Sequence, residues 1–201
     1  LFPYTTLFRS VVPALVQLRC REKLYRQVAG VRTHGKVTVF IDRTETASDI
    51  GELQLTDYGI SGIPVFQISR YAARGLYEKK EVFAELDFMP DFGDVEFLQM
   101  LKERKIRLDG LVMEQYFNGL FHKKLAGALL KRIGISGTMP VHDLGEENLE
   151  RLCRISKHFR TYIHKTKPFE QAQSYAGCVA TGENDPDTME SKLVKGLYFA
   201  G

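Results

Sequence analysis

The chain has no tryptophan and only three cysteines in 201 residues. Cys20, Cys153 and Cys178 are far apart and odd in number. That speaks against a disulfide framework or a cysteine zinc site, and makes a reducing, cytoplasmic setting the expectation. The five histidines show no close metal-ligand spacing, so no metal is expected. No apolar run approaches the roughly 20 residues that span a bilayer, so no membrane partner is expected. A net charge of +3 is too small to argue for nucleic acid. No G-x-G-x-x-G stretch occurs, so the usual dinucleotide fingerprint is missing. There is no repeat and no low-complexity tract. What remains is an ordinary globular composition, with 44% hydrophobic residues, enough to build one large or two small domains.

The strongest local signal is Gly51 to Leu76, GELQLTDYGISGIPVFQISRYAARGL. Glu52 to Leu55 alternates polar and apolar, as a half-buried strand does. Gly59 and Gly62 bracket Ile60-Ser61 and permit backbone angles closed to other residues. Ser61 is a candidate N-cap, and Pro64 suits a first helical turn. Val65, Ile68, Ala72 and Leu76 then share one helical face. A loop that delivers a helix N-terminus can hold a phosphate, a carboxylate or an electron-rich ring edge. An ordinary strand–helix connection explains the same spacing.

Around this stretch, Val12 to Arg19, Val31 to Asp42, Glu81 to Met89, Thr161 to Lys167 and Gln171 to Ala180 read as strands. Gly35 is a candidate bulge, and Arg43 to Ser48 a hairpin turn. Glu22 to Val28 is a short helical link. Between Pro90 and Arg160 the texture is helical. Val95, Leu98 and Leu101 mark one helix face, and Leu111 to Ile133 reads as one long helix with Phe117, Phe121, Leu125 and Leu129 four apart. Glu146 to Phe159 is an amphipathic helix holding Cys153 as a buried, inert thiol. Thr188 to Leu193 and Leu197 to Ala200 read as short strands. The expected fold is α+β: a β domain made of two sequence segments, with an inserted all-helical subdomain.

The first ten residues resemble the conceptual translation of a sequencing-library adapter, so residues 1–10 are expected to be a non-native leader. The rest carries a family resemblance. DPDTMESKLVKGLYFAG (Asp185 to Gly201), TDYGISGIPVFQISRYA (Thr56 to Ala72) and AGCV (Ala176 to Val179) resemble three segments of the aminoacetone-oxidase or BaiN/RdsA-type NAD(P)/FAD-dependent oxidoreductases. The resemblance implies a Rossmann-type FAD domain interrupted by a barrel-like insert with its own helical subdomain. On that division, 11–90 and 160–184 form the barrel, 91–159 the helical subdomain and 185–201 the start of the C-terminal FAD segment. The flanking FAD domain is then largely absent, and the chain by itself is expected not to retain FAD. The resemblance implies hydride transfer from NAD(P)H through FAD to an unsaturated or carbonyl small molecule. It implies cofactor-facing roles for Thr56, Gly59, Ser61, Gly62, Gly177, Val179, Ala200 and Gly201. Cys178 stands where the family's second glycine is usual, and a cysteine is disfavoured there if the position needs positive φ. Tyr58, Asp57 and His164 are polar candidates that read equally as turn or surface residues, so no catalytic acid or base is assigned. Two other readings stay open: a stand-alone barrel binding module without cofactor, and, more weakly, an RNA-binding barrel.

Overall fold

A computed structural model describes residues 8–199. Its strands are β1 (Phe8–Ala14), β2 (Leu18–Cys20), β3 (Arg32–Ile41), β4 (Thr44–Leu55), β5 (Gly59–Ser61), β6 (Val82–Asp87), β7 (Phe159–Thr166) and β8 (Ser174–Val179). Its helices are α1 (Tyr25–Val28), α2 (Ile63–Tyr77), α3 (Asp94–Arg107), α4 (Met113–Tyr116), α5 (Lys123–Arg132) and α6 (Glu146–Lys157). Six strands close into a barrel in the order β2-β5-β4-β3-β6-β7, with antiparallel neighbours throughout. The helices α3 to α6 are inserted between β6 and β7, so the barrel draws on two separated segments, as expected.

Period-2 patterning fills the barrel. Val37, Val39, Leu53, Leu55, Ala84 and Leu86 are buried; of the positions between them Gln54 and Glu85 are half-buried, whereas Thr38 and Phe83 are buried as well. The buried face of α2, Val65, Ile68 and Ala72, packs across β3 to β7. Gly75 lets this helix come close: a Cβ there would meet Val82 Cγ2 at 2.8 Å and Ile41 Cδ1 at 3.1 Å. Each large apolar side chain buried this way stabilises by about 1.5–3 kcal/mol over an exposed one.

Several expectations are corrected. The β3–β4 turn is only Asp42-Arg43, with φ of 47° and 68°, the geometry of a two-residue type I′ hairpin. β4 therefore begins at Thr44, and the polar run after it is strand rather than turn. Gly35 is not a bulge; it pairs with Gly51, and the β3–β4 irregularity lies at Val39/Phe40. Val12 to Arg19 is two strands, because Leu15 takes φ 49° and turns the chain. β1 leaves the barrel and forms a two-stranded ribbon with β8, so Gln171 to Ala180 contributes no barrel strand. Leu111 to Ile133 holds two helices: α4 ends at Tyr116, and Gly119, at φ 83°, lies in the turn that leads to α5. Phe117, Phe121, Leu125 and Leu129 are nonetheless all buried. In α3 the core face is Phe97 and Leu101, whereas Val95 is 84% exposed in the first turn. The segments at 188–193 and 197–199 make single bridges, Asn184 to Ser191 and Glu190 to Tyr198, rather than strands.

Candidate functional site

Gly59 and Gly62 are explained by barrel closure. Gly59 pairs with Arg19 across β2 and β5, and a Cβ there would run into the Leu18 carbonyl and the Cys20 nitrogen. Thr56 closes the turn before it, with its backbone N–H and its hydroxyl both donating to the Gly59 carbonyl, at 2.9 and 3.0 Å. Ser61 is buried within β5 opposite Gln54, so it is not the N-cap. That position belongs to Gly62, at φ 106°, with the Glu52 carbonyl filling the space a side chain would need.

Gly177 and Val179 lie in the ribbon, where a Cβ on Gly177 would meet the Ser10 carbonyl at 2.6 Å. Cys178 takes φ 80°, so this position does carry the positive φ that disfavours cysteine. The Tyr77 hydroxyl bonds Ser10 Oγ at 2.8 Å. The ribbon glycine therefore sits by the last turn of α2, while Gly62 caps its first turn. Fifteen helical residues separate these ends, about 22 Å of axis. The two groups are not brought into one cradle. Ala200 and Gly201 lie outside the described residues.

A different group of residues converges. β2 and β7 pair Cys20 with Ile163 and Arg19 with Lys165, which leaves His164 as an extra residue in a bulge. Bulges re-aim side chains and are common beside active sites. Here the bulge sets His164 and Lys165 side by side, opposite Arg19, in the wall of a cleft of about 550 Å³. The opposite wall is Val12 and Pro13 of β1 and Leu76 and Tyr77 of α2. Ser69 holds the frame: its Oγ accepts from the Val16 N–H at 3.2 Å and donates to the Phe66 carbonyl at 2.7 Å, tying the β1–β2 bend to α2. Lys167 completes the rim, with Nζ 3.9 Å above the Tyr58 ring.

The electrostatics of the cleft are one-sided. Burial first, then the charges of Arg19, Arg21 and Lys165, hold the His164 imidazole below its ordinary pKa, so it is neutral at neutral pH. Its Nδ1 is shut from water without a hydrogen-bond partner. Among the described residues, none of Arg19, Arg21, Lys165 and Lys167 is ion-paired with a carboxylate. Such a site attracts anions. A second hollow of about 530 Å³ in the helical lobe, between Glu114 and Gly134, contains no unpartnered buried polar atom among the described residues.

Sequence reasoning weighed Tyr58 and His164 and passed over Arg19, Lys165 and Lys167. Two cations directly opposite each other would have been the signal, but the pairing of β2 with β7 joins segments over 140 residues apart and is not visible in the string. Asp57 stands in the exposed turn and does not line the cleft. Among the described residues no group of three metal-ligating side chains converges, and no helix is long and apolar enough to cross a membrane.

Comparison with known proteins supplies the context. A family profile described as "HI0933-like protein barrel and H2TH domain" matches residues 12–174. A 3-dehydro-bile acid delta(4,6)-reductase of Clostridium scindens is 43% identical over 194 residues, covering 95% of this chain and 47% of that protein. A ribosomal RNA dihydrouridine synthase of Haemophilus influenzae is 25% identical over 192 residues, covering 96% of this chain and 44% of that protein. The chain thus spans about half the length of the curated relatives it matches.

Proposed function

The chain belongs to the HI0933-like barrel and H2TH domain family, and from that premise we propose that it is the barrel-and-helix part of a cytoplasmic FAD-dependent oxidoreductase. In this reading the whole protein takes a hydride from NADH or NADPH and passes it to an unsaturated or carbonyl small molecule. The observation that carries it is the 43% identity, over nearly the whole chain, to a protein named as a reductase. FAD, when bound, would supply the redox chemistry, while protein groups bind and orient the substrate.

The fit of this chain to FAD is partial. The spaces beside Gly59, Gly62 and Gly177 are filled by the chain's own carbonyls. These three glycines therefore offer no open cradle for a pyrophosphate. Electron transfer is accordingly assigned to no residue here. The contribution proposed for this chain is to cover the reacting molecule, exclude water from it and attract its charged group with Arg19, Lys165 and Lys167.

The test uses the longer protein that contains this span, together with the 201-residue chain alone. The longer protein is expected to purify with flavin, seen by its visible absorbance, and to have that flavin bleached by NADH or NADPH under anaerobic conditions. The isolated chain is expected to carry no stoichiometric flavin. A longer protein that neither binds flavin nor oxidises a nicotinamide would overturn the reading, in favour of a barrel that only binds.

A further inference from the structure

Two neighbouring side chains at the end of α6 tie the helical lobe to the barrel. Lys157 is bonded to Asp87 of β6 and to the Met89 and Phe92 carbonyls beyond it. His158 makes the second tie, and histidine is the side chain that gains or loses its charge near neutral pH. Its Nδ1 lies 2.9 Å from Glu85 Oε1 on β6, and its Nε2 lies 3.0 Å from Asp94 Oδ2 in the first turn of α3. Both partners are carboxylates, which when ionised only accept. A charged imidazole donates from both nitrogens, whereas a neutral one carries a single N–H. This double contact therefore needs the imidazolium. Once the proton leaves, one ring nitrogen turns a lone pair toward a carboxylate.

The surrounding charges do not relieve that contact. Among the described residues, neither Glu85 nor Asp94 is ion-paired with any other cation. Arg160, the cross-strand partner of Glu85 on β7, has its guanidinium 4.4 Å from the Phe83 ring centre. On α6, Arg151 is engaged by Asn148 and the Ile133 carbonyl, and Arg154 and Glu150 line a hollow with the ring without pairing to it. Arg132 of α5 lies over the Phe159 ring. Cys153 donates its thiol proton to the Asp94 carbonyl at 3.5 Å, and burial raises its pKa, which keeps it neutral. The two carboxylates are unequal: Glu85 is 24% exposed and Asp94 60%. Stranding the more buried one costs more, so the remaining N–H stays with Glu85 and the Asp94 bond is the one that fails.

We propose that His158 is a proton-operated latch on α3: charged, it pins the first turn of α3 against α6 and the barrel; neutral, it releases that turn, while Lys157 keeps α6 moored to β6. Release widens the hollow of about 250 Å³ that Val95, Leu98 and Cys153 line between α3 and α6. Burial lowers the ring's pKa, but the bonds and charges of Glu85 and Asp94 together outweigh it, and the pKa is raised. The latch is therefore closed through the ordinary histidine range and opens as pH rises through the higher folded value.

The test is amide hydrogen exchange on the 201-residue chain at about pH 5.5 and about pH 8, on either side of the histidine range. Rates are expressed as protection, so that the intrinsic rise of exchange with pH cancels. The Phe97 N–H, bonded to the Gly93 carbonyl at 2.9 Å, reports the first turn of α3. Its protection is expected to fall about fivefold toward the higher pH, the size that an exposed ion pair supports, while α6 amides such as Leu152 hold theirs. His158→Gln should show the low protection at both pH values. Asp94→Asn, whose amide can accept from a charged ring or donate to a neutral one, should lose most of the pH dependence. Four results would each overturn the proposal: a His158 ring already neutral at the lower pH by its nitrogen shifts, Phe97 protection that does not change with pH, a pH dependence that survives in His158→Gln, or a loss shared equally by α6 and the barrel strands.

Discussion

His158 Nδ1 lies 2.9 Å from Glu85 Oε1, a bond that ties the end of α6 to the barrel strand β6. The other ring nitrogen is 3.0 Å from Asp94 Oδ2, at the start of α3. One imidazole thus joins the barrel to two helices of the inserted lobe. Burial is the largest single influence and lowers its pKa, but the bonds to Glu85 and Asp94 and their charges together outweigh it, and the pKa is raised. A raised folded pKa stabilises fully below the ordinary histidine range, and that stability is lost as pH rises through the folded value. The expected outcome is that His158→Gln unfolds at a lower temperature than the parent in mildly acidic buffer. The gap should narrow as pH is raised past neutrality. A gap that does not change with pH would show that the bonds act without the proton.

Lys157, only 4% exposed, reaches Asp87 Oδ2 at 2.8 Å, the Met89 carbonyl at 2.9 Å and the Phe92 carbonyl at 2.5 Å. All three protons of its ammonium are placed, which is what makes a buried lysine tolerable. Lys157→Met removes the counter-charge of a partly buried carboxylate, which keeps only the Met89 N–H on its other oxygen, and takes a donor from the Met89 and Phe92 carbonyls. It is expected to cost about 3 kcal/mol in chemical denaturation. A loss under about 1 kcal/mol would mean that water replaces the ammonium.

Cys178 occupies a positive-φ position in β8, next to Gly177. A non-glycine residue in that region carries about 1–2 kcal/mol of steric cost. Cys178→Gly is expected to raise the denaturation midpoint by a corresponding amount, whereas Cys178→Ala, which keeps its Cβ, should not. A destabilised glycine variant would show that the cysteine side chain makes a contact that offsets the strain.

The three thiols should also separate by reactivity. Burial pushes the Cys20 thiol up to about 11, and burial likewise raises Cys153, while Cys178 is exposed. Thiolate fraction and access govern reaction with disulfide reagents. One thiol per chain is expected to react rapidly in the native state and three after denaturation. Rapid labelling of Cys20 would mean that the barrel opens locally at β2.

Gly59→Ala tests barrel closure. The added Cβ meets the Leu18 carbonyl and the Cys20 nitrogen, both backbone atoms that cannot swing aside. A loss on the order of 2–3 kcal/mol is expected, with exchange protection falling first in β2 and β5. Protection unchanged in both strands would show that the closure is softer than its contacts imply.

The sequence by itself determined the side-chain period within single elements, but not where turns break them, as at Leu15 and at Asp42-Arg43. The alternation of Val82, Ala84 and Leu86 in β6, the Val65–Ile68–Ala72 face, the amphipathic α6 and a two-segment β domain with a helical insertion were legible because side-chain period reports burial locally, while the barrel was implied by the family resemblance. The conformational demand at Cys178 was legible too, from the glycine that the family pattern places there. Only the tertiary structure decided which strands meet. The Arg19–Lys165 register, the bulge at His164, the departure of β1 and β8 from the barrel and the Gly59 contact with β2 each join segments tens to more than a hundred residues apart. Strand pairing is set by backbone hydrogen bonds that carry no side-chain signature, so a one-residue slip in register leaves the string unchanged while moving every cation of the cleft.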